Sequence, residues 1–221
     1  NPIQFGTDED FDSYPRTIDA DFDVIAAEGG CDVIYAPNSI YDASHATNII
    51  PSGVALPMEG EARPHFFIGV ATVVSKLFNH IPADFAIFGE KDFQQLAVIR
   101  QMVRDLDINI DILAHPTIRE TDGLALSSRN QYLTTAQRRL APKIYAQMQH
   151  TIALINNGTD IKAAIYQAKD QLQKAGFGKI DYFDLRQPDD FQPCDKPTAT
   201  SRVFVAIWLG STRLIDNCAI G

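Results

Sequence analysis

The sequence predicts an α/β protein whose first half contains a parallel sheet and whose second half is a smaller α+β unit. In the first half, residues 83–88 and 108–113 are apolar runs of strand length, and residues 93–106 between them show helical spacing. Because short connections separate the strands from the helices, we expect a parallel sheet with right-handed crossovers. In the second half, two long helical patterns precede three β-rich segments, which is typical of an antiparallel meander packed on helices.

The other elements of the first half follow from periodicity and from chain breakers. Helices are expected over residues 18–27 and 67–79, the latter because apolar residues recur there at the helical period. Residues 31–37 are predicted to form a short buried strand that a proline ends, and residues 83–88 a second buried strand. The stretch 38–60 is polar and contains prolines and glycines, so loops and a short edge strand are expected there.

The second half begins with a helix signal. Thr134 and Gln137 have the spacing of a capping box, which predicts a long helix running to about Asn156. A second helix is expected over residues 160–175. The β-rich segments that close the chain are 180–186, 202–208 and 214–217, with a hairpin turn over residues 210–212.

The pattern changes near Thr117, and this change predicts two domains. Strand and helix signals alternate before this point, whereas two helices and a meander follow it. We therefore expect an α/β domain over residues 1–117 and a smaller α+β domain over residues 118–221. A chain of 221 residues is long enough to give both a core.

Composition excludes several classes of function. The net charge of −9 argues against nucleic-acid binding, although local cations and helix N-termini can still bind a small anion inside a cleft. The three cysteines are far apart and form no C-x-x-C pair, which predicts reduced thiols and neither a zinc site nor a disulfide framework. No apolar run approaches the roughly 18 residues that span a bilayer. Since no signal peptide is recognised, we expect a cytoplasmic protein without nucleic-acid or membrane partners.

The first candidate site is the run Phe88-Gly89-Glu90-Lys91-Asp92-Phe93-Gln94-Gln95, which lies where a predicted strand ends and a helix begins. Ligands of open α/β sheets bind at this location, and helix N-termini favour anions. Gly89 would allow close approach of the backbone, and Lys91 supplies a point charge suited to phosphate. Asp92 could cap the helix or help to hold a metal–phosphate group. The alternative is a well-capped turn with a solvated Lys91.

The second candidate site is the run Leu126-Ser127-Ser128-Arg129-Asn130. Two hydroxyls followed by an arginine can wrap a phosphate, and a loop at a domain boundary can close over a nucleotide. The alternative is a turn that leads into the Thr134 cap, with Arg129 in a surface ion pair. A third run, Asn1-Pro2-Ile3-Gln4-Phe5, offers amides that could bind a hydroxy acid or could belong to a polar loop.

The remaining polar residues are predicted to be structural. The five histidines show no i, i+4 ligand spacing, and His80 and His150 are expected near helix C-termini. The acidic run from Asp8 to Asp12 is expected to be a solvated loop, not a cation site. Trp208 is predicted to lie in the core, and no protein metal site is predicted.

Four segments, taken in order, closely resemble the pantothenate synthetase family. They are Asn1-Pro2-Ile3-Gln4-Phe5, Tyr14-Pro15-Arg16-Thr17, Phe88-Gly89-Glu90-Lys91-Asp92-Phe93-Gln94-Gln95 and Asp122-Gly123-Leu124-Ala125-Leu126-Ser127-Ser128-Arg129-Asn130. The ending, Trp208-Leu209-Gly210 and then Arg213-Leu214-Ile215-Asp216-Asn217, is similar to that family's C-terminal hairpin. The resemblance covers essentially the whole chain.

The resemblance implies a Rossmann-like nucleotidyltransferase domain, a small C-terminal α+β lid domain and a homodimer. The implied reaction is the ATP-dependent condensation of pantoate with β-alanine. Pantoate attacks the α-phosphate of ATP–Mg²⁺ to give pantoyl adenylate and pyrophosphate, and β-alanine then displaces AMP. Two alternatives stay open: a non-catalytic fragment that binds nucleotide or mediates dimerisation, and another adenylate-forming ligase of the same superfamily.

The resemblance also implies roles for individual residues. Lys91, Ser127, Ser128 and Arg129 would spread the phosphate charge that develops during the first step. Gln4 and Gln95 would hold pantoate in line for attack, and they are the expected binding residues for pantoate and β-alanine. The positions that match the family's ATP-binding residues are Gly89, Glu90, Lys91, Asp92, Ile118, Leu126, Ser127, Ser128 and Arg129.

The chain departs from the family pattern in two places. The family has a strand and a His-x-Gly-His loop ahead of its Asn-Pro-x-Gln-Phe segment, and one histidine of that loop is its catalytic acid. These 221 residues contain no His-x-Gly-His, so we expect the first units of the sheet to be missing and a sheet edge to be exposed. The family's Arg-Pro-x-His-Phe is Arg63-Pro64-His65-Phe66 here, with the histidine one residue early.

Overall fold

The computed structural model describes residues 1–7 and 9–221 and has the expected α/β architecture. Its helices are α1 (Ile18–Glu28), α2 (Glu59–Ala62), α3 (Phe66–His80), α4 (Phe93–Asp105), α5 (Thr135–Leu140), α6 (Lys143–Asn156) and α7 (Ile161–Lys174). Its strands are β1 (Phe85–Gly89), β2 (Asp111–His115), β3 (Ile180–Arg186), β4 (Arg202–Leu209) and β5 (Thr212–Ala219). Within the described ranges, no helix is long and apolar enough to cross a bilayer.

β1 and β2 form a two-stranded parallel sheet, as the alternating pattern predicts. Phe88 and Ile112 pack against an apolar cluster supplied mainly by α3 and α4. The other face is open, with Phe85 59% and Ile87 68% exposed. The prediction of a buried strand is therefore wrong, because in the described chain the helices cover only one face of this sheet. β2 also begins later than predicted.

Two predicted strands of the first half do not form. Residues 31–37 have no regular structure, and residues 38–60 contain short helical turns but no strand. Val33 is 82% exposed. A strand needs a hydrogen-bonding neighbour, and neither segment has one among the described residues, so apolar composition alone did not produce a strand.

The helix α5 begins where the capping-box spacing predicts. Thr134 Oγ1 accepts a hydrogen bond from Gln137 N at 3.3 Å, and Gln137 Oε1 accepts one from Thr134 N at 2.9 Å, which completes the capping box. The predicted single helix is nevertheless divided into α5 and α6, because Pro142 has no N–H with which to continue the first one. His80 lies in the last turn of α3 as predicted, whereas His150 lies in the middle of α6.

β3, β4 and β5 form an antiparallel sheet in that order, and β4 and β5 are joined at the predicted hairpin. One face of the sheet packs on α6 and α7 through a large apolar cluster that includes Phe183 and Val205. The opposite face, which includes Tyr182 and Phe204, packs on Phe93 at the start of α4. This sheet therefore packs directly against the turn between β1 and α4.

Trp208 is half-buried and not in the core, contrary to prediction. Its Nε1 donates to the Asp181 carboxylate at 3.3–3.4 Å. The division of the chain at residue 117 stays a prediction. One large cluster draws on residues 124–220 and another on residues 49–112.

Candidate active site

A cleft of about 1440 Å³ lies between the first half of the chain and the antiparallel sheet. It is lined by most of the residues that the sequence singles out: Gln4, Lys91, Asp92, Gln95, Leu126, Ser127, Ser128 and Arg129. Gly89, Glu90 and Ile118 do not line it. The two runs that were predicted to bind phosphate are far apart in sequence, yet residues of both line one cleft. The amides of Gln4 and Gln95 line it as well.

Lys91 lies in a 3-10 turn over Glu90–Asp92, directly between β1 and α4. Its side chain is 19% exposed, and its Nζ lies 3.6 Å from Asp92 Oδ1. Lys91 is therefore a mostly buried residue of the cleft wall, and its binding role stays a prediction. Asp92 precedes α4 but makes no side-chain capping hydrogen bond, so its carboxylate is not used to cap the helix. Gly89 has an extended backbone, and a Cβ there would meet nothing within 4 Å.

The run from Ser127 to Arg129 is held by the acidic segment that follows Phe5. Arg129 donates from Nε and Nη2 to the two carboxylate oxygens of Asp10, both at 2.8 Å. Ser128 Oγ donates to Tyr14 Oη at 2.8 Å. Asp8 lies outside the described residues, but for Glu9 and Asp10 the prediction of a solvated loop is wrong, because both carboxylates pair with arginines.

The Asp10–Arg129 pair shifts the titration of both groups. Burial would raise the pKa of Asp10, but the hydrogen bonds and the charge of Arg129 outweigh it and hold this pKa below its usual value. Burial would lower the pKa of Arg129, and Asp10 raises it instead. Both groups are therefore charged near neutral pH, with the guanidinium neutralised by a carboxylate of the same chain.

Arg63 also lines the cleft, and its Nε donates to Glu9 Oε1 at 2.7 Å. Its guanidinium lies 4.0 Å from the centre of the Phe66 ring. His65 points to Glu9, with Nε2 3.5 Å from Oε1, and does not line the cleft. Phe66, at the histidine position of the Arg-Pro-x-His-Phe pattern that the sequence resembles, places an apolar ring against Arg63. Among the described residues, no histidine lines the cleft.

Gln4 is positioned by the close approach of its 3-10 turn to α3. A Cβ at Gly69 would overlap the backbone of Gln4, so only glycine allows this contact. Asn1 Nδ2 donates to Gln4 Oε1 at 2.8 Å and to Gly69 O at 3.0 Å, which fixes the amide at the cleft wall. Phe5 also lines the cleft.

The two neighbouring glutamines of α4 have different environments. Gln94 is 4% exposed and clamps the preceding loop, since it donates to Val54 O at 2.9 Å and accepts from Glu59 N at 3.1 Å. Gln95 lines the cleft, and its amide has no hydrogen-bonding partner within residues 1–7 and 9–221. Gln95 is therefore an unpaired amide at the cleft within these ranges.

A buried ionic network that no sequence pattern predicted lies at the far wall of the cleft. Arg213 donates to Glu59 Oε1 and to Asp181 Oδ2, both at 2.6 Å, and Tyr182 Oη donates to Glu59 Oε1 at 2.7 Å. Burial, followed by the charge of Glu59, raises the pKa of Tyr182 well above its usual value. The signal available in the sequence was an arginine and an aspartate at strand positions that otherwise alternate with apolar residues.

Asn217 and Asp216 on β5 were also missed. Asn217 Nδ2 donates to Glu90 O at 2.8 Å and to Lys91 O at 2.9 Å. Asp216 accepts two hydrogen bonds from Arg119, at 2.6 and 2.9 Å. The last strand therefore contacts both the turn that carries Lys91 and the segment that leads to Ser127.

Comparison with known proteins agrees with this geometry. Residues 1–219 match the family model described as Pantoate-beta-alanine ligase. The chain is 49% identical over 226 residues to pantothenate synthetase of Caulobacter vibrioides, covering 100% of this chain and 79% of the relative. It is 47% identical to pantothenate synthetase of Pseudomonas putida, covering 98% of this chain and 77% of the relative.

Two solved structures share the fold. The crystal structure of pantothenate synthetase from Thermus thermophilus superposes with a TM-score of 0.94 at 38% identity, covering 100% of this chain and 80% of that one. Pantoate-beta-alanine ligase from Francisella tularensis, complexed with beta-gamma ATP and beta-alanine, superposes with a TM-score of 0.81 at 32% identity, covering 100% of this chain and 76% of that one. The chain therefore belongs to the pantoate–β-alanine ligase family.

Proposed function

We propose that the protein catalyses the ATP-dependent condensation of pantoate with β-alanine to pantothenate, through pantoyl adenylate and with release of AMP and pyrophosphate. The observation that carries the proposal is the shared cleft. Lys91 and the run Ser127–Arg129 supply cationic and hydroxyl groups to the same space as the amides of Gln4 and Gln95. Family membership and the ATP and β-alanine complex of the Francisella relative support the substrate classes.

In the first step, a carboxylate oxygen of pantoate attacks the α-phosphorus of ATP. A new P–O bond forms, and the bond to the bridging oxygen breaks so that pyrophosphate leaves with the electron pair. Negative charge on the phosphate oxygens increases during this step, and Lys91 and Arg129 are cations at the cleft that can stabilise it. Arg129 is paired with Asp10. For Arg129 to contact phosphate, its guanidinium must either bind both groups at once or leave the Asp10 carboxylate.

Pantoate must be held so that its carboxylate lies in line with the bond that breaks. Gln4 has a fixed amide at one wall, and Gln95 has an amide at another that pairs with no group in the described chain. Amides can donate to a carboxylate and accept from a hydroxyl, which matches a hydroxy acid. Fixed hydrogen bonds of this kind contribute by orientation, so their loss is expected to reduce use of pantoate more than binding of ATP.

We propose that ATP enters this reaction as its Mg²⁺ complex. Among the described residues, no group of three His, Cys, Asp or Glu side chains is arranged to hold a metal ion. Mg²⁺ commonly binds one or two carboxylates together with substrate phosphates. Asp92, which lines the cleft and caps no helix, would supply that carboxylate. The metal would neutralise phosphate charge.

In the second step, the amine of β-alanine attacks the acyl carbon of pantoyl adenylate. The C–N bond forms, AMP leaves with the electrons of the acyl–oxygen bond, and the nitrogen releases a proton to water. A cleft of this size accommodates the adenylate and the amine together.

We further propose that residues 118–221 act as a lid domain on the domain formed by residues 1–117, and that the protein acts as a cytoplasmic homodimer, as the family resemblance implies.

The test is AMP release from ATP by the purified protein, with pantoate and β-alanine added singly and together. We expect AMP to be released only when pantoate and β-alanine are both present. We expect pyrophosphate to be released when pantoate is added without β-alanine. Absence of AMP with both substrates present, under conditions in which nucleotide still binds, would favour a non-catalytic nucleotide-binding module. Activity with other hydroxy acids but not with pantoate would indicate another adenylate-forming ligase.

A further inference from the structure

We propose that Asn217, on the last strand, is a positioning residue that aims the Lys91 ammonium into the cleft. This inference rests on the proposed role of Lys91 in phosphate-charge stabilisation. Asn217 does not act on substrate through its amide; it acts on the backbone of the turn Glu90–Asp92. Nothing in the sequence connects the two positions, which are 126 residues apart.

The geometry of the contact explains how one amide can fix a neighbouring side chain. Asn217 Nδ2 donates one hydrogen bond to Glu90 O at 2.8 Å and the other to Lys91 O at 2.9 Å. These carbonyls belong to the two peptide planes on either side of the Lys91 Cα. Because both planes are held, the direction of the Lys91 Cα–Cβ bond is fixed with them.

The orientation of the amide is itself determined. Arg202 Nε donates to Asn217 Oδ1 at 2.9 Å. A guanidinium can only donate, so the oxygen of the amide must face Arg202 and the nitrogen must face the turn. Asn217 is 3% exposed, and a buried amide that lost these partners would be left unsatisfied.

The same arginine holds the turn from a second side. The guanidinium of Arg202 lies 4.2 Å from the centre of the Phe93 ring, and its Nη2 lies 3.6 Å from Glu90 Oε2. Asn217 N donates to Asp216 Oδ1 at 2.8 Å, and Asp216 is paired with Arg119. The end of β5 is therefore anchored to the segment that leads to Ser127 as well as to the turn that carries Lys91.

This arrangement fixes the backbone of Lys91, while its ammonium makes no hydrogen bond within the described chain. Its only ion-pair partner among the described residues is Asp92, at 3.6 Å. A rigid backbone that carries an ammonium without a hydrogen-bonding partner in the described chain is the arrangement expected of a group that stabilises charge developing on a substrate. Misplacement of such a group by about 1 Å is expected to cost about 10²-fold in rate.

The experiment compares Asn217→Asp and Asn217→Ala with the parent protein in ATP–pyrophosphate exchange that depends on pantoate. Asn217→Asp keeps the shape of the side chain but puts a carboxylate oxygen, which only accepts, next to the carbonyls of Glu90 and Lys91. Asn217→Ala removes the amide altogether. We expect the exchange rate to fall by roughly 10- to 100-fold while the KM for pantoate stays near that of the parent. Asn156→Asp is the control, because the exposed Asn156 also donates from Nδ2 to a backbone carbonyl, that of Ile220 at 3.0 Å.

A double-mutant cycle with Lys91→Ala separates positioning from general destabilisation. If Asn217 acts through the ammonium, either Asn217 variant should cause little further loss once Lys91 is absent. An equal fold-loss in both backgrounds would overturn the inference. Rates are compared below the melting transition of each variant, measured by circular dichroism, so that loss of folded protein is not counted.

The outcomes distinguish this inference from the proposed function. Parent-like exchange in both Asn217 variants, together with a large loss in Lys91→Ala, would remove Asn217 and leave the role of Lys91 in place. Parent-like exchange in Lys91→Ala would refute the proposed role of Lys91 and this inference with it. A loss in Asn156→Asp as large as in Asn217→Asp would also contradict the inference.

Discussion

At the scale of single residues, the polar side chains of the cleft are of two kinds: some are paired within the protein, and others are available to bind a ligand. Gln94 and Gln95 are adjacent, yet the first is used inside the protein and the second has an amide unpaired within the described chain. Lys91 and Arg129 are both cations of the cleft, yet Arg129 is neutralised by Asp10, while the ion-pair partner of Lys91 lies 3.6 Å away. Unpaired polar groups at a cleft wall are the residues whose replacement should affect catalysis more than folding.

Replacement of Lys91 by alanine is expected to reduce adenylate formation by roughly 10²–10³-fold, because it removes one group that stabilises developing charge. ATP–pyrophosphate exchange in the presence of pantoate measures this step. Lys174→Ala is the control, since Lys174 lies in an exposed i, i+4 pair with Asp170 on α7. An unchanged exchange rate in Lys91→Ala would remove this residue from the mechanism.

Replacement of Gln95 by alanine is expected to raise the KM for pantoate and to lower its turnover, with a much smaller effect on ATP affinity. The reason is that an amide orients a hydroxy acid but carries no charge for phosphate. Steady-state kinetics with each substrate varied in turn, together with calorimetric titration of ATP, would measure both effects. Gln101→Ala, on the exposed side of the same helix, should leave both unchanged. Equal loss for the two substrates would contradict the assignment.

At the scale of elements, the close contact between α3 and the first turn determines where Gln4 lies at the cleft. Ala is favoured over Gly inside a helix by about 1 kcal/mol, so propensity alone would make Gly69→Ala stabilising. A Cβ at this position would overlap the Gln4 backbone, which cannot move as a flexible side chain does. Steric overlap is therefore expected to outweigh propensity.

Gly69→Ala should displace Gln4 from the cleft wall and weaken use of pantoate in the same direction as Gln4→Ala. The KM for pantoate of the two variants would be compared with that of Asn79→Ala, an exposed position near the end of the same helix. A parent-like KM in Gly69→Ala would show that the contact between α3 and the turn can be relaxed without cost to the site.

The acidic segment after Phe5 is another element whose position depends on charge. The pKa of Asp10 is lowered, so its pair with Arg129 contributes fully above the ordinary aspartate pKa of about 3.9 and is lost as the pH falls through the lower folded value. Glu9 behaves in the same way, because Arg63 lowers its pKa against the effect of burial. Acidification should therefore release this segment only at pH values below the usual carboxylate range.

Carboxyl-carbon NMR titration of the protein tests this pH dependence. Arg129→Ala is expected to raise the pKa of Asp10 and to leave the pKa of Glu9 lowered, whereas Arg63→Ala should do the reverse. The two variants thus act as controls for each other. If the Asp10 pKa does not rise in Arg129→Ala, the ion pair is not the cause of its shift.

At the scale of the whole molecule, a buried network joins α2 in the first half to β3 and β5 in the second. The side chains of Glu59 and Arg213 are 7% and 14% exposed, and both are fully paired. Removal of one partner from a buried pair leaves an uncompensated charge, which typically costs about 3–5 kcal/mol, whereas exposed pairs contribute little. This network is therefore expected to hold the two halves together around the cleft.

Arg213→Ala should lower the free energy of unfolding by roughly 3 kcal/mol, measured by urea denaturation followed by circular dichroism. Arg138→Ala breaks an exposed pair with Asp122 and should cause little change. Similar losses in the two variants would show that the Glu59–Arg213 contact is not a special link between the halves.

The sequence by itself determined the features that depend on neighbours along the chain. The helical period located α3 and α4, the Thr134–Gln137 spacing located the start of α5, and the strand-to-helix run located the turn that carries Lys91. These signals are local, because a helix and its cap are satisfied by residues a few positions away. The family resemblance, which also rests on contiguous runs, followed from the same kind of evidence.

Only the tertiary structure decided the features that need a partner from far along the chain. Residues 31–37 have strand-like composition but no neighbouring strand among the described residues, and β1 is covered on one face only. Asp10 and Arg129 are 119 residues apart, and Asn217 is 126 residues from Lys91. Charge pairing, burial and hydrogen-bond satisfaction depend on distance in space, and packing of the whole chain sets that distance.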